Sequence, residues 1–172
     1  MNTFTSNFVP TKKAEYDIVM ISYDEANANE NFDKLKTRFP RAQRIHGVKG
    51  IHQAHIAAAN VCSTEMFWIV DGDAIIEDDF NFDYVAEDNK AVHVWRSKDP
   101  INDLVYGYGG VKLFPTQMTR DMDVSCPDMT TSISERFKKM EKISCITGFN
   151  TSELSTWRSA FRECAKLSSK II

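Results

Sequence analysis

Phe67-Trp68-Ile69-Val70-Asp71-Gly72-Asp73-Ala74-Ile75-Ile76 is a continuous apolar run that delivers two aspartates, two positions apart, near its end. A short apolar run bounded by polar residues predicts a strand buried on both faces, as in a parallel sheet covered by helices. In an extended chain residues i and i+2 point to one side, so Asp71 and Asp73 present their carboxylates together, and Gly72 lets a ligand approach the backbone. Such a pair suits a hard divalent cation that takes its other oxygens from water and substrate phosphates. The alternative is a strand end with two solvated acids in a turn.

Outward from that strand, the pattern alternates. Tyr16 to Ser22 reads as a buried first strand that leaves Ser22, Tyr23, Asp24 and Glu25 at its C-terminal end. Asn27 to Phe39 has Phe32, Leu35 and Phe39 at helical spacing and is stopped by Pro40. Ala42 to Val48 is a short second strand, and Gly50 to Cys62 a second helix packed through its alanines. Lys49-Gly50 at the start of that helix offers free N–H groups to a phosphate. His52 and His55 share a face, and one packed and one exposed histidine is favoured over a metal pair because no third ligand follows at a recognisable spacing. Ala91 to Arg96 is a fourth strand. Alternating strands and helices call for a layered α/β domain with a mostly parallel central sheet flanked by helices, in which ligands bind beyond the C-terminal ends of the strands.

Val105 to Pro115 sets glycines among aromatic rings, as Tyr106-Gly107-Tyr108-Gly109-Gly110. Glycines there admit close backbone approach and tyrosine faces stack on sugars or bases; a glycine-rich hairpin with core tyrosines is the other reading. Thr116 to Thr131 reads as a loop and a mobile lid. Ser132 to Glu135 is a capping box that predicts a helix through Glu141, and Ser144 to Gly148 a short strand. Asn150 to Glu153 opens a final helix whose Leu154, Trp157, Phe161, Cys164 and Leu167 form an apolar stripe expected in the core.

The 172 residues suffice for one domain with a real core. A net charge of −3 gives no bulk argument for nucleic-acid binding. Acids cluster from Asp71 to Asp88, and the last third is basic through Arg136, Lys138, Lys139, Lys142, Arg158, Arg162, Lys166 and Lys170. That basic end fits phosphates or, more simply, two solvated helix faces. Cys62, Cys126, Cys145 and Cys164 lack metal or disulfide spacing and read as reduced, mostly buried thiols. The N-terminus has no signal-peptide pattern and no segment suits a membrane span, so the expected compartment is the cytoplasm.

With these residues in place, the chain resembles the GT-A class of nucleotide-sugar-dependent glycosyltransferases. The resemblance rests on the first strand with Ser22 and Tyr23, the helix after Lys49, Ile69 to Asp73, and Tyr106 to Gly110. The last looks like the aromatic-Gly-aromatic-Gly-Gly loop near the sugar in some galactosyltransferases. More narrowly, Trp95 to Pro100 with Tyr108 to Phe114, and Phe149 to Ser152 with Trp157-Arg158, look like small glycosyltransferase-like proteins of tailed bacteriophages. Some phage glycosyltransferases modify hydroxymethylated cytosine in DNA.

The resemblance implies a single GT-A-like domain over 1–172. It comprises an irregular tail at 1–14, a nucleotide-binding half at 15–96, and a sugar- and acceptor-side segment with C-terminal helices at 97–172. It implies a hexosyl- or pentosyltransferase that moves sugar from a nucleotide sugar, expected to be UDP-linked, to an acceptor hydroxyl such as modified phage DNA in the host cytoplasm. Asp71 and Asp73 hold Mn²⁺ or Mg²⁺ in that scheme. The donor meets Ser22, Tyr23, Asp24, Lys49, Asp71, Arg96, Tyr108, Gly109 and Gly110, and the acceptor base is Asp99 or Asp103 by position.

Two departures stand out. Val111-Lys112-Leu113 follows the Gly-Gly, where galactosyltransferases of that type carry acids that include the base, and no histidine follows His93 to serve as a late metal ligand. The chain also ends at Ile171-Ile172 directly after a helix, so an acceptor-binding part is expected to be small, absent or supplied by a partner. The rivals are a haloacid-dehalogenase-type phosphatase with the first aspartate as nucleophile, a nucleotidyltransferase on a similar fold, and a non-catalytic nucleotide-sugar-binding module.

Overall fold

The central strand forms where the apolar run predicts it. In the computed structural model, which describes residues 15–107 and 109–169, β3 (Met66–Asp71) is fully buried from Met66 to Val70. Alternate side chains serve opposite faces. Phe67 and Ile69 join one core, with Val19, Ile21, Ala58 and Phe114, while Trp68 and Val70 join the other, with Met20, Leu35, Trp95 and Leu113. The tail at 1–14, Tyr108 and the terminal Ile171-Ile172 lie outside the described residues.

Beside β3 runs β1 (Asp17–Ser22), and beside β1 runs β2 (Gln43–His46), all parallel. The helices α1 (Ala28–Arg38) and α2 (Ile51–Asn60) complete the two crossovers. The remaining strands are β4 (Ala74–Ile76), β5 (Val92–Lys98), β6 (Val105–Tyr106), β7 (Val111–Pro115) and β8 (Phe137–Thr147). The sheet order is β2-β1-β3-β7-β5-β8-β4, with β6 paired to β5. β5 and β8 run with β1, β2 and β3, whereas β7, β4 and β6 run against them. The expected α/β domain with a mostly parallel sheet is therefore present, opened in its middle by an antiparallel strand.

That antiparallel strand corrects the hairpin reading of the glycine-rich stretch. Val105–Tyr106 pairs with the end of β5, and after the glycines the chain turns into the gap between β3 and β5.

Three further expectations fail. The segment from Thr116 is no lid: α3 (Thr116–Arg120) and α4 (Met129–Ile133) bring Met122, Met129 and Ile133 into the core. Arg120 ties α3 to the carbonyls of Ala59 on α2 and of Cys62 just beyond it. The box Ser132 to Glu135 caps no helix; Asp128 caps α4 through the Thr131 amide, and Ser134 donates to the Lys90 carbonyl. Beyond it the chain is β8, paired with β5, because long-range pairing outweighs the local helix signal. A register shift opposite Arg96 leaves Glu141 and Lys142 as a bulge.

The third is α5 (Glu153–Ser169), whose apolar stripe is not in the core. Trp157 is 61% and Phe161 62% exposed, and their rings stack on each other. Leu154 and Cys164 are exposed too, while the Leu167 side chain lies outside the description.

Charge is arranged pairwise. Arg136, Lys138 and Lys142 of the basic third stand on or beside β8, not on helices, and pair with Asp88, Glu87 and Asp79 of the acidic segment. Beneath those acids Phe80, Phe82 and Tyr84 pack edge-on against Trp68 and Trp95. Cys62 and Cys145 are buried, whereas Cys126 and Cys164 are not, so the thiols are free but only half of them are core residues. Among the described residues no helix is long and apolar enough to cross a membrane.

Candidate functional site

The two aspartates stand on a tight turn between β3 and β4, held from several sides. The Asp71 amide donates to the Gly110 carbonyl at 2.7 Å, and the Gly148 amide donates to the Asp73 carbonyl at 2.7 Å. From α1 the Asn31 amide donates to the Gly72 carbonyl at 3.0 Å. Gly72 is required by space: a Cβ there would lie 2.8 Å from both Ser22 Cβ and Glu25 Oε2. Gly110 is required likewise, since its Cβ would fall 2.7 Å from Ala74 Cβ. At Gly109 a Cβ would sit 2.6 Å from the Trp95 carbonyl oxygen. Gly72 and Gly110 make room for neighbouring side chains and Gly109 for the backbone of β5; no ligand is needed to explain them.

Electrostatically the two acids differ. Asp71 forms an ion pair with Lys112 at 3.0 Å, and the lysine side chain is only 12% exposed. Asp73 is more deeply enclosed and feels the charges of Arg162 and Lys112. Burial first, then the charges of Asp71 and Glu25, push its carboxyl up to about 6, against weaker relief from Arg162 and Lys112. Burial, with two other acids nearby, thus outweighs the cations of Arg162 and Lys112 at this carboxyl. The donors, two hard carboxylate oxygens, fit Mg²⁺ or Mn²⁺. Among the described residues no three His, Cys, Asp or Glu side chains gather to hold a metal. A cation here would complete its shell with substrate oxygens and water.

Around this turn the structure gathers part of the predicted set. Ser22 is buried, and its hydroxyl meets His46 Nδ1 at 3.0 Å and Arg44 Nε at 2.8 Å. Tyr23 and Asp24 are exposed just beyond, and the Tyr23 amide donates to Glu25 Oε2 at 2.8 Å. Lys49 is exposed before α2, after Gly47 and before Gly50, both in left-handed conformations. Arg96 is half-buried on β5 and pairs with Glu141 of the β8 bulge. Tyr108 lies outside the described residues. Its neighbour Tyr106 hydrogen-bonds Thr147 at 3.1 Å, and Thr147 also bonds Ser97.

Asp99 and Asp103 do not join the pair. Asp99 Oδ1 accepts from the Ile101 and Asn102 amides, and Asp103, in a left-handed conformation, pairs with Lys98 at 2.7 Å. Both shape the turn between β5 and β6. Nor do the histidines of α2 make a metal pair. His55 is 1% exposed with Nδ1 on the Ile51 carbonyl at 2.8 Å, and His52 is partly buried rather than exposed.

Asn31, Arg44 and His46 were not singled out in the sequence; Glu25 was named only as a strand-end residue and Lys112 only as a departure from the galactosyltransferase pattern. Arg44 and His46 are adjacent outward positions on a short edge strand, which carries no motif. Lys112 had one signal: a charged residue inside an apolar strand asks for a buried partner.

No family model matches the chain, and no curated protein matches it in sequence. Solved structures do resemble it. The 4-diphosphocytidyl-2C-methyl-D-erythritol synthase of Anaerococcus prevotii superposes with a TM-score of 0.51 at 9% identity, covering 86% of this chain and 96% of that one. The bifunctional IspDF of Campylobacter jejuni gives 0.51 at 10% identity, covering 73% of this chain; the chain spans 49% of that protein's length. At such identities the likeness concerns the fold alone.

Proposed function

We propose that this chain is a metal-assisted transferase that uses a nucleotide sugar and passes its sugar to an acceptor hydroxyl. One observation supports the reading: two carboxylates, Asp71 and Asp73, flank the Gly72 turn at the C-terminal end of the central strand β3, the end at which open α/β sheets bind ligands, close enough that the charge of Asp71 helps to raise Asp73. Asp73 would hold Mn²⁺ or Mg²⁺ directly, with Asp71 beside it. The bound cation would neutralise charge that builds on the departing nucleoside diphosphate. Lys112 holds the Asp71 carboxylate in place through their ion pair. Ser22, Tyr23, Asp24 and Lys49 border the donor side, and Arg96, Gly109 and Gly110 the side towards the sugar. Acceptor deprotonation needs a carboxylate as well; Asp99 and Asp103 are named for it by position alone, since both stand in the turn between β5 and β6. DNA as acceptor rests on the resemblance to phage proteins; a steep fall of affinity with salt would support it.

Nucleotidyl transfer is the second reading, favoured by the two structural neighbours. Against it stands the loop after β1. A triphosphate needs N–H groups or cations, yet residues 22–27 contain no glycine, lysine or arginine, carry Asp24 and Glu25, and already commit the Tyr23 amide to a carboxylate.

The test compares products. Native chain and Asp73→Asn are incubated with Mn²⁺ or Mg²⁺ and either UDP- and GDP-sugars or nucleoside triphosphates with sugar phosphates. Nucleoside diphosphate released by the native chain alone supports glycosyl transfer; pyrophosphate instead selects nucleotidyl transfer. Phosphate from simple phosphoesters would indicate the phosphatase, and metal-dependent nucleotide binding without turnover a binding module.

A further inference from the structure

Three asparagines alternate at the start of the first helix, as Asn27-Ala28-Asn29-Glu30-Asn31, and each grips the end of a different strand. Asn27 Nδ2 donates to the Gly148 carbonyl just beyond β8 at 3.0 Å. Asn29 Oδ1 accepts from Arg44 of β2 at 2.8 Å. Asn31 Nδ2 donates to the Gly72 carbonyl, between the two aspartates, at 3.0 Å. Asn27 and Asn31 are four apart and so share a helix face. Their targets are linked as well, because the Gly148 amide holds the Asp73 carbonyl. At the far end of α1, Arg38 donates to the carbonyls of Glu77, Asp78 and Phe80. One rigid helix thus fastens both ends of the segment from Gly72 to Phe80.

The chemistry at the two ends differs, and the difference matters. Arg38 brings charge to plain carbonyls away from the acids. Asn31, only 6% exposed, brings an uncharged donor to the peptide that joins Asp71 to Asp73. A lysine or arginine there would supply its own cation to the pair and compete with any ligand. An aspartate would add a third negative charge and lose the donor. An amide fixes the turn and adds no further cation beside Lys112, which already pairs with Asp71.

We propose that Asn31, seated by Asn27, is the positioning residue that sets Asp71 and Asp73 to converge on one cation before ligand arrives. This rests on the reading of the pair as a cation site. Second-layer hydrogen bonds of this kind typically carry about ten- to hundredfold in metal affinity.

The experiment titrates Mn²⁺ into the full chain and follows free Mn²⁺ by electron paramagnetic resonance, with melting temperature recorded for every variant. Native chain, Asn31→Ala, Asn31→Ser, Arg38→Ala and Asp73→Asn are compared. Both Asn31 variants are expected to bind Mn²⁺ about tenfold or more weakly. Arg38→Ala loses more hydrogen bonds and melts lower, yet keeps Mn²⁺ affinity within about twofold of native. The proposal is overturned if Arg38→Ala weakens Mn²⁺ as much as Asn31→Ala, since general destabilisation would then explain both. It is also overturned if the Asn31 variants bind as the native chain does. If native binding is absent, or survives Asp73→Asn, the cation-site reading itself falls and takes this one with it.

Discussion

His55 makes the stability of this protein depend on pH in a direction the structure dictates. Its Nδ1 donates to the Ile51 carbonyl, so the neutral ring carries its bare nitrogen at Nε2, which is buried with no hydrogen-bond partner in the described structure. Protonation would put charge there without water, and burial, chiefly, lowers the imidazole from 6.5 to about 4. The Ile51 carbonyl and Asp71 work against that fall, and Lys112 and His52 work with it.

Between these two values the unfolded chain takes up a proton that the native chain refuses, so stability rises with pH. The contribution is complete above pH 6.5 and is lost as pH falls through about 4. At about 1.4 kcal/mol per pH unit the loss is about 3 kcal/mol. Asp73, raised to about 6, works oppositely over much the same range. The useful quantity is therefore the difference between native chain and His55→Leu, in which Asp73 is common to both. Urea unfolding followed by tryptophan fluorescence, at steps from pH 4 to 7.5, should show that difference growing by about 3 kcal/mol with pH. A difference constant to within about 0.5 kcal/mol, or a His55 ring resonance that titrates near 6.5, would refute the argument.

Three other outcomes are expected. Lys112→Met strands the Asp71 carboxylate and should cost about 1–3 kcal/mol, most of it recovered by adding Asp71→Asn; costs that simply add in urea unfolding would mean the pair is uncoupled. Gly72→Ala should cost about 1–3 kcal/mol through its contact with Ser22, whereas Gly107→Ala, with open space around it, should be nearly neutral by the same assay. Trp157→Ser and Phe161→Ser should leave the melting temperature within about 2 °C of native, because neither ring is in the core; a drop of several degrees would mean that α5 packs inward.

Much of the first half was legible along the chain. An apolar run buried on both faces can only be a central strand, and alternation of strands with amphipathic helices leaves few topologies. The elements β1, α1, β2, α2, β3 and β5 lie where periodicity puts them, within a few residues. The two acids at the end of the central strand were legible as residues, but strand alternation stops at Asp71, and Asp73 stands on the turn that follows. The second half misled where local and long-range preferences compete. The helix signal before Phe137 lost to pairing with β5, and the methionines after Thr116 packed into the core instead of a mobile loop. The apolar stripe of α5 read as core because a helical period reports which residues share a face, not what that face meets.

By itself, then, the sequence determined the layered α/β class and the buried central strand, since each follows from the alternation of neighbouring residues, and it named the acids at that strand's end. Only the tertiary structure decided what surrounds those acids. Lys112 reaches Asp71 because an antiparallel strand enters beside β3, and Asn31 reaches Gly72 because α1 crosses above the turn. Both contacts span 41 residues of chain. No local periodicity encodes them; they arise when separate segments bury their apolar faces against the same sheet and bring their polar ends together at its edge.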